Sequence, residues 1–186
     1  MFPIIATKNG YTALTYACEG GHTEVVRTLI ESGFTKKIIQ KEFSIIFASK
    51  NGHEEIVRML IDSGTDVNIA LGNGHTALLC ACENGHESIA RMLIDSGANV
   101  NSRGVSPLMH SCDKGMTDIC SRIIEKGADI NQAVNGYNSL SYACKKGHLE
   151  IVKQLLRNGS DKRDLALAIA CAYGHNEVVK ELLRKY

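Results

Sequence analysis

The tract TALTYACEGGHTEVVRTLIESG (residues 12–33) returns as TALLCACENGHESIARMLIDSG (76–97) and again as NSLSYACKKGHLEIVKQLLRNG (138–159). Looser copies are FSIIFASKNGHEEIVRMLIDSG (43–64), SPLMHSCDKGMTDICSRIIEKG (106–127) and LALAIACAYGHNEVVKELLRKY (165–186). One glycine keeps phase throughout, at Gly21, Gly52, Gly85, Gly115, Gly147 and Gly174, with intervals of 31, 33, 30, 32 and 27 residues. Such a period reads as stacked repeat units rather than one globular core. Length alone, 186 residues, points instead to a single ordinary domain.

Each copy predicts two helices. The first is short and rich in small residues, as at Leu14, Ala17 and Cys18, and ends near the phase glycine. The second carries apolar pairs one turn apart: Val25, Val26, Leu29 and Ile30 in the first copy, and Ile151, Val152, Leu155 and Leu156 in the fifth. These spacings place the pairs on one helical face, with Glu24, Arg27 and Glu31 pointing away. A glycine then stops the second helix at Gly33, Gly64, Gly97, Gly127 and Gly159. One such pair cannot bury both its faces, so neighbours must stack.

Asn-Gly dipeptides serve two purposes. Asn9-Gly10, Asn73-Gly74 and Asn135-Gly136 precede a copy and suit a tight turn between short extended segments. Asn51-Gly52, Asn84-Gly85 and Asn158-Gly159 close helices, where a left-handed backbone is wanted. Thr12, Thr76, Ser106 and Asn138 stand at helix N-cap positions, and Pro107 follows one of them at the first helical position.

The chain at this point resembles the ankyrin-repeat family. Its pattern G-x-T-P-L-H-x-A-A-x-x-G-H is matched by GYTALTYACEGGH, GHTALLCACENGH and GYNSLSYACKKGH, and its later G-A-D-V-N by GTDVN, GANVN and GADIN. The resemblance implies an all-α fold: a solenoid of stacked helix pairs with short β-hairpin fingers along one edge. It spans residues 1–186 as a single domain, with repeats near 7–33, 34–66, 67–99, 100–130, 131–161 and 162–186. It further implies protein recognition on a concave side rather than catalysis. The chain departs from the pattern in three places. The T-P-L-H histidine slot holds Thr15, Ile46, Leu79, Met109, Ser141 and Ala168, so the helix-start hydrogen bond of that histidine is expected to be absent throughout. TKKIIQKE (35–42) replaces a Gly-centred finger, and the sixth copy is shortened before Leu165. Neither end shows a strongly polar cap, which fits a segment of a longer protein.

Cys18, Cys82, Cys112, Cys144 and Cys171 share one repeat slot, with Cys80 and Cys120 outside it. Equivalent helices stack roughly 8–10 Å apart, whereas a disulfide needs Cα atoms within about 7 Å. The slot therefore reads as a small buried apolar position, and the thiols favour a reducing intracellular compartment. His22, His53, His86, His148 and His175 also recur in phase, with Met116 in the fourth copy. That spacing cannot bring several nitrogens within about 2 Å of one ion, so a structural bond to loop backbone is expected. His110 and Cys112 resemble half a zinc site whose other half is missing. Gly72, Gly74 and Ala77 satisfy G-x-G-x-x-A without the strand context of dinucleotide binding. Asn158-Gly159-Ser160 spells a glycosylation sequon, but at a helix end. No phosphate loop, nucleophile elbow or H-E-x-x-H is present. No enzymatic activity, cofactor or metal is expected.

Function then rests on in-phase positions whose residues vary. The family's recognition slots are the finger residue before the cap and the pair ending the first helix. From these, Tyr11, His75, Val105, Tyr137, Glu19, Lys50, Glu83, Asn84, Asp113, Lys114, Lys145, Lys146 and Tyr173 are candidate partner-binding residues. Tyr16, Phe47, His110 and Tyr142 join them from a variable slot within the first helix, where packing between helices is the competing role. Tyrosine is a favoured interface anchor, and aromatics are only 5% of this chain. A protein partner is the expectation. The overall charge of +1 disfavours a nucleic-acid binder, and no apolar run approaches the roughly 18 residues of a membrane span. The opening MFPIIATKNG lacks secretory-signal features. The protein is expected to be monomeric and cytoplasmic. Residues 141–186 hold nine Lys and Arg against five Asp and Glu. A phosphate or nucleic-acid site at Lys145, Lys146, Lys162 and Arg163 is therefore the alternative, beside a regulatory role within a longer enzyme.

Overall fold

The computed structural model describes residues 11–33, 43–102 and 104–184, which form α-helices and no sheet. Contacts divide the chain into two compact units, Met1–Ala98 and Asn99–Tyr186, and each is described by itself.

In the first unit the helices are α1 (Ala13–Glu19), α2 (Thr23–Glu31), α3 (Ser44–Asn51), α4 (Glu54–Asp62), α5 (Ala77–Asn84) and α6 (Glu87–Asp95). In the second they are α7 (Pro107–Lys114), α8 (Thr117–Glu125), α9 (Ser139–Lys146), α10 (Leu149–Arg157), α11 (Arg163–Ala172) and α12 (Asn176–Leu183). Odd- and even-numbered helices alternate as the first and second members of each repeat. First helices pack on first helices, α1 on α3 on α5 and α7 on α9 on α11. Each also packs on its own second helix, and second helices touch one another less extensively. The segment 34–42, where a finger was expected to be missing, lies outside the described residues.

Local chemistry sets the helix boundaries. The hydroxyls of Thr12, Thr76 and Ser106 and the amide oxygen of Asn138 accept from the backbone N–H three residues on, as N-caps do. The expectation that the helix-start bond is lost in every copy is corrected in the first and fifth. There the slot residues Thr15 and Ser141 accept the cap residue's own N–H at 3.2 and 3.4 Å. A short hydroxyl completes the capping box from the position where the family pattern has histidine. Gly52, Gly85, Gly115 and Gly147 end first helices at φ between 75° and 79°. The following residue's N–H bonds back to the carbonyl five residues earlier, as in His53 to Ala48 at 3.0 Å.

Those glycines also make room. A Cβ on Gly21 would lie 2.6 Å from the His53 ring, on Gly52 2.7 Å from His86, on Gly115 2.8 Å from His148 and on Gly147 2.5 Å from His175. Each ring belongs to the next repeat. Its Nε2 meets a carbonyl at the end of the preceding first helix: Glu19, Lys50, Asp113 and Lys145, at 3.1, 3.1, 3.3 and 3.0 Å. A carbonyl only accepts, so Nε2 carries the proton and donates.

A second set of bonds explains the asparagine ending GTDVN, GANVN and GADIN. The side-chain amides of Asn68, Asn101 and Asn131 donate to the Gly97, Gly127 and Gly159 carbonyls one repeat on, at 3.2, 3.3 and 3.1 Å. The oxygens of Asn101 and Asn131 accept from the Asp129 and Asp161 N–H. Fingers in the described residues are minimal. Val134 and Tyr137 exchange both backbone bonds around Asn135 and Gly136, whose φ of 52° and 85° suit a two-residue hairpin. Ala70 bridges Thr76 in the third copy.

Two packing expectations are corrected. Val25 does not face the core; it is 51% exposed while Val26 is buried. Among the described elements α2 makes its main contacts with α1 and α4, and it belongs to the first described repeat. Of the five slot cysteines, Cys18, Cys82, Cys112 and Cys144 are buried but Cys171 is exposed. The helix carrying it, α11, makes its main contacts with α9 and α12 and belongs to the last described repeat. In the last helix of the first unit, Leu93 of α6 is fully buried. Leu93→Ala is predicted to cost about 2–5 kcal/mol, measured as the shift in urea unfolding. A loss below about 0.5 kcal/mol, typical of surface sites, would misplace the helix face.

Candidate functional site

Because caps, glycines and asparagines bond the framework to itself, the side chains ending the first helices and leading the fingers are left over for other uses. In the first unit, Tyr11 lies against Tyr16 and Phe47, with ring centroids 5.5 and 5.0 Å apart. Burial, with Glu19 and Tyr16 adding, pushes the Tyr11 phenol above its ordinary pKa. Tyr16 stays 53% exposed while Phe47 is buried. The variable first-helix slot is thus not uniform: Tyr16 faces solvent, Phe47, Cys80 and Ile169 pack, and Tyr142 is half-buried.

Next to Phe47, a pocket of about 250 Å³ is lined by Ile46, Phe47 and Lys50 from α3, Leu71, Asn73 and His75 from the finger, and Cys80, Glu83 and Asn84 from α5. Its chemistry is mixed. The Glu83 carboxylate stands 4.0 Å from His75 Nε2, and the Asn84 amide donates back to the Cys80 carbonyl at 2.8 Å. Lys50 and Glu19 expose their side chains while their carbonyls hold the next repeat's histidine.

In the second unit, Tyr137, Tyr142, Lys145, Ile169 and Tyr173 line a pocket of about 190 Å³. The Tyr137 and Tyr142 rings lie 6.4 Å apart, and the Lys145 ammonium sits 5.8 Å from the Tyr173 ring centroid. Lys146 pairs with Asp113 at 3.6 Å, so two expected site residues engage each other. Val105, His110 and Lys114 line neither of these pockets. Sequence reasoning missed Leu71 and Asn73 as wall residues. Their signal was the finger turn itself, since Leu71 N–H donates to the His75 carbonyl at 2.9 Å and fixes the wall.

Among the described residues, no group of three or more His, Cys, Asp or Glu is placed to hold a metal ion. No helix there is long and apolar enough to cross a membrane.

A scan against family models matches ankyrin repeats in three copies, over residues 3–70, 45–134 and 131–186. A search of curated proteins finds no match. Among solved structures, the crystal structure of the human ASB11 ankyrin repeat domain is similar, with a TM-score of 0.77 and 24% identity. That alignment covers 92% of this chain and 82% of the other, and at this identity it speaks for the fold alone.

The thiols differ sharply in availability. Burial pushes Cys80 up to about 11 and Cys144 up to about 12, and raises Cys112 well above the usual thiol range. A raised pKa keeps the inert thiol form at neutral pH. The Cys112 and Cys120 sulfurs lie 3.7 Å apart, a contact within one repeat that the comparison of equivalent positions did not anticipate. Cys171 is the exposed one of the seven. Brief iodoacetamide treatment of the native chain is predicted to label Cys171 alone by peptide mass mapping, with all seven labelled after denaturation. Comparable native labelling of Cys80 or Cys144 would contradict the packing.

Proposed function

The chain belongs to the ankyrin-repeat family, and from that premise we propose that it is a non-catalytic interaction module. It binds a partner protein through its fingers and first-helix ends, the concave side in this family. The observation that carries the reading is the exposure of Tyr16, Tyr137 and Tyr173 on elements whose backbone is otherwise internally bonded. Exposed tyrosines on a held framework give contact area at low entropy cost. The charged helix-end residues Glu19, Lys50, Glu83, Asp113, Lys114, Lys145 and Lys146 would then set which partner is accepted.

The alternative, a four-residue basic site for phosphate or nucleic acid, is less well supported. Lys146 is paired with Asp113, and the Lys162 amine donates to the Gly136 carbonyl at 3.3 Å, so two of the four cations already have polar partners. A partner domain carried on a longer chain would meet the same face. The free thiols suit a cytoplasmic setting, and the reading takes the chain as a monomer with no cofactor.

Affinity capture from native cells followed by titration of the captured protein tests the reading. Replacing Tyr11, His75 and Tyr137 together with alanine is expected to weaken binding about tenfold or more, as loss of aromatic anchors does. The helical circular-dichroism signal should stay unchanged. Unaltered affinity in the triple variant would contradict the assigned face.

A further inference from the structure

We infer that the tyrosine-lined pocket of the second unit docks an extended acidic peptide segment of the partner. It would seat one aliphatic side chain over Ile169 and place a neighbouring Asp or Glu carboxylate on Lys145. This rests on the interaction-module reading above and assigns the chemistry of what is bound.

Size and lining argue for the aliphatic anchor. The pocket holds about 190 Å³, and a cavity on the order of 150 Å³ accommodates a benzene-sized group. Its floor is Ile169, only 8% exposed, beside the half-buried Tyr142. Its rim is Tyr137 and Tyr173, at 44% and 55% exposure. These are two of the five large apolar side chains most exposed among the described residues, and they face one cavity. The walls are in place before any ligand arrives. The finger hairpin fixes Tyr137 through its paired backbone bonds, and the His175 ring holds the carbonyl of Lys145.

Charge argues for the carboxylate. No acidic side chain lines the pocket, and among the described residues the Lys145 ammonium rests against the Tyr173 ring rather than in an ion pair. Of the neighbouring cations, Lys146 is paired with Asp113 and Lys162 donates to the Gly136 carbonyl, whereas Lys145 is the cation that lines the pocket itself. Residues 99–186 carry 13 Lys and Arg against 9 Asp and Glu, a surplus of four that favours approach of an acidic segment. The pocket of the first unit provides an internal contrast. Glu83 lines it beside His75 and opposite in charge to Lys50, so its lining is of mixed charge where that of the second-unit pocket is basic only. Nucleic acid fits less well, because strand binding needs several phosphate contacts and open ring faces for stacking. Here Lys145 is the one cation lining the pocket, and its ammonium lies over the Tyr173 ring.

The test is selection of a phage-displayed random short-peptide library on the full chain, with fluorescence titration of the enriched peptides. Enrichment of Leu, Ile, Val or Met next to Asp or Glu is expected. Lys145→Glu and Tyr173→Ser should each weaken these peptides about tenfold, with Lys145→Gln intermediate. Both residues are exposed, and unchanged circular dichroism verifies folding. Failure to enrich any peptide, enrichment without acidic residues, or Lys145→Glu binding within about twofold of wild type would each overturn the proposal. If enriched peptides are lost instead on changing Tyr16, Phe47 or His75, this pocket is wrong while the interaction face stands. If substitutions in neither unit matter, both readings fall. Tighter binding of a labelled single-stranded oligonucleotide, competing with the peptides, would overturn the peptide in favour of nucleic acid.

Discussion

An imidazole ring laid over a glycine of the preceding repeat is the contact on which the rest of each unit depends. At Gly21, Gly52, Gly115 and Gly147 the glycine does two things at once. It adopts the left-handed backbone that turns the chain between helices, and it leaves the space that the His53, His86, His148 or His175 ring fills. The same ring donates to a carbonyl at the end of the neighbouring first helix. Register between repeats within a unit is therefore set by a steric vacancy and a hydrogen bond acting together. Either alone would leave more freedom.

This arrangement separates structure from recognition within single residues. The carbonyls that accept the histidines belong to Glu19, Lys50, Asp113 and Lys145, whose side chains vary from copy to copy. Their backbone is committed to the stack, while the side chains of Glu19, Lys50 and Lys145 are exposed and that of Asp113 pairs with Lys146. Acidic, basic or neutral groups can be exchanged there without touching the packing. The asparagines of the GTDVN-like segments do the same work at the finger end, holding carbonyls one repeat away while finger residues such as Tyr137 project outward.

What could be read from the sequence was whatever repeats locally. The six-copy phase shows as a recurring motif, and the N-caps at Thr12, Thr76, Ser106 and Asn138, the helix-closing glycines and the Asn135-Gly136 turn depend on residues within a few positions of each other. The structural assignment of the recurrent histidines followed from asking what equivalent positions can reach. Less legible was anything decided by how many neighbours an element has. Val25 and Cys171 sit in core slots by phase but are exposed, on helices of the first and last described repeats. The aromatic row looked like one class of position, yet Tyr16 is exposed while Phe47 is buried beside the third-copy finger residues Leu71, Asn73 and His75. The hydroxyl bonds of Thr15 and Ser141 escaped notice because a missing histidine was equated with a missing hydrogen bond.

The central claim is that glycine and histidine act as one unit across the repeat boundary, and a double-mutant cycle on Gly52 and His86 tests it most directly. Urea unfolding of the full chain would be compared for wild type, Gly52→Ala, His86→Ala and the pair. A Cβ at position 52 meets the His86 ring at 2.7 Å. The alanine should therefore cost less once the ring is gone, leaving a coupling of about 1 kcal/mol or more between the two sites. Costs that add to within about 0.3–0.5 kcal/mol, as independent sites do, would contradict the account.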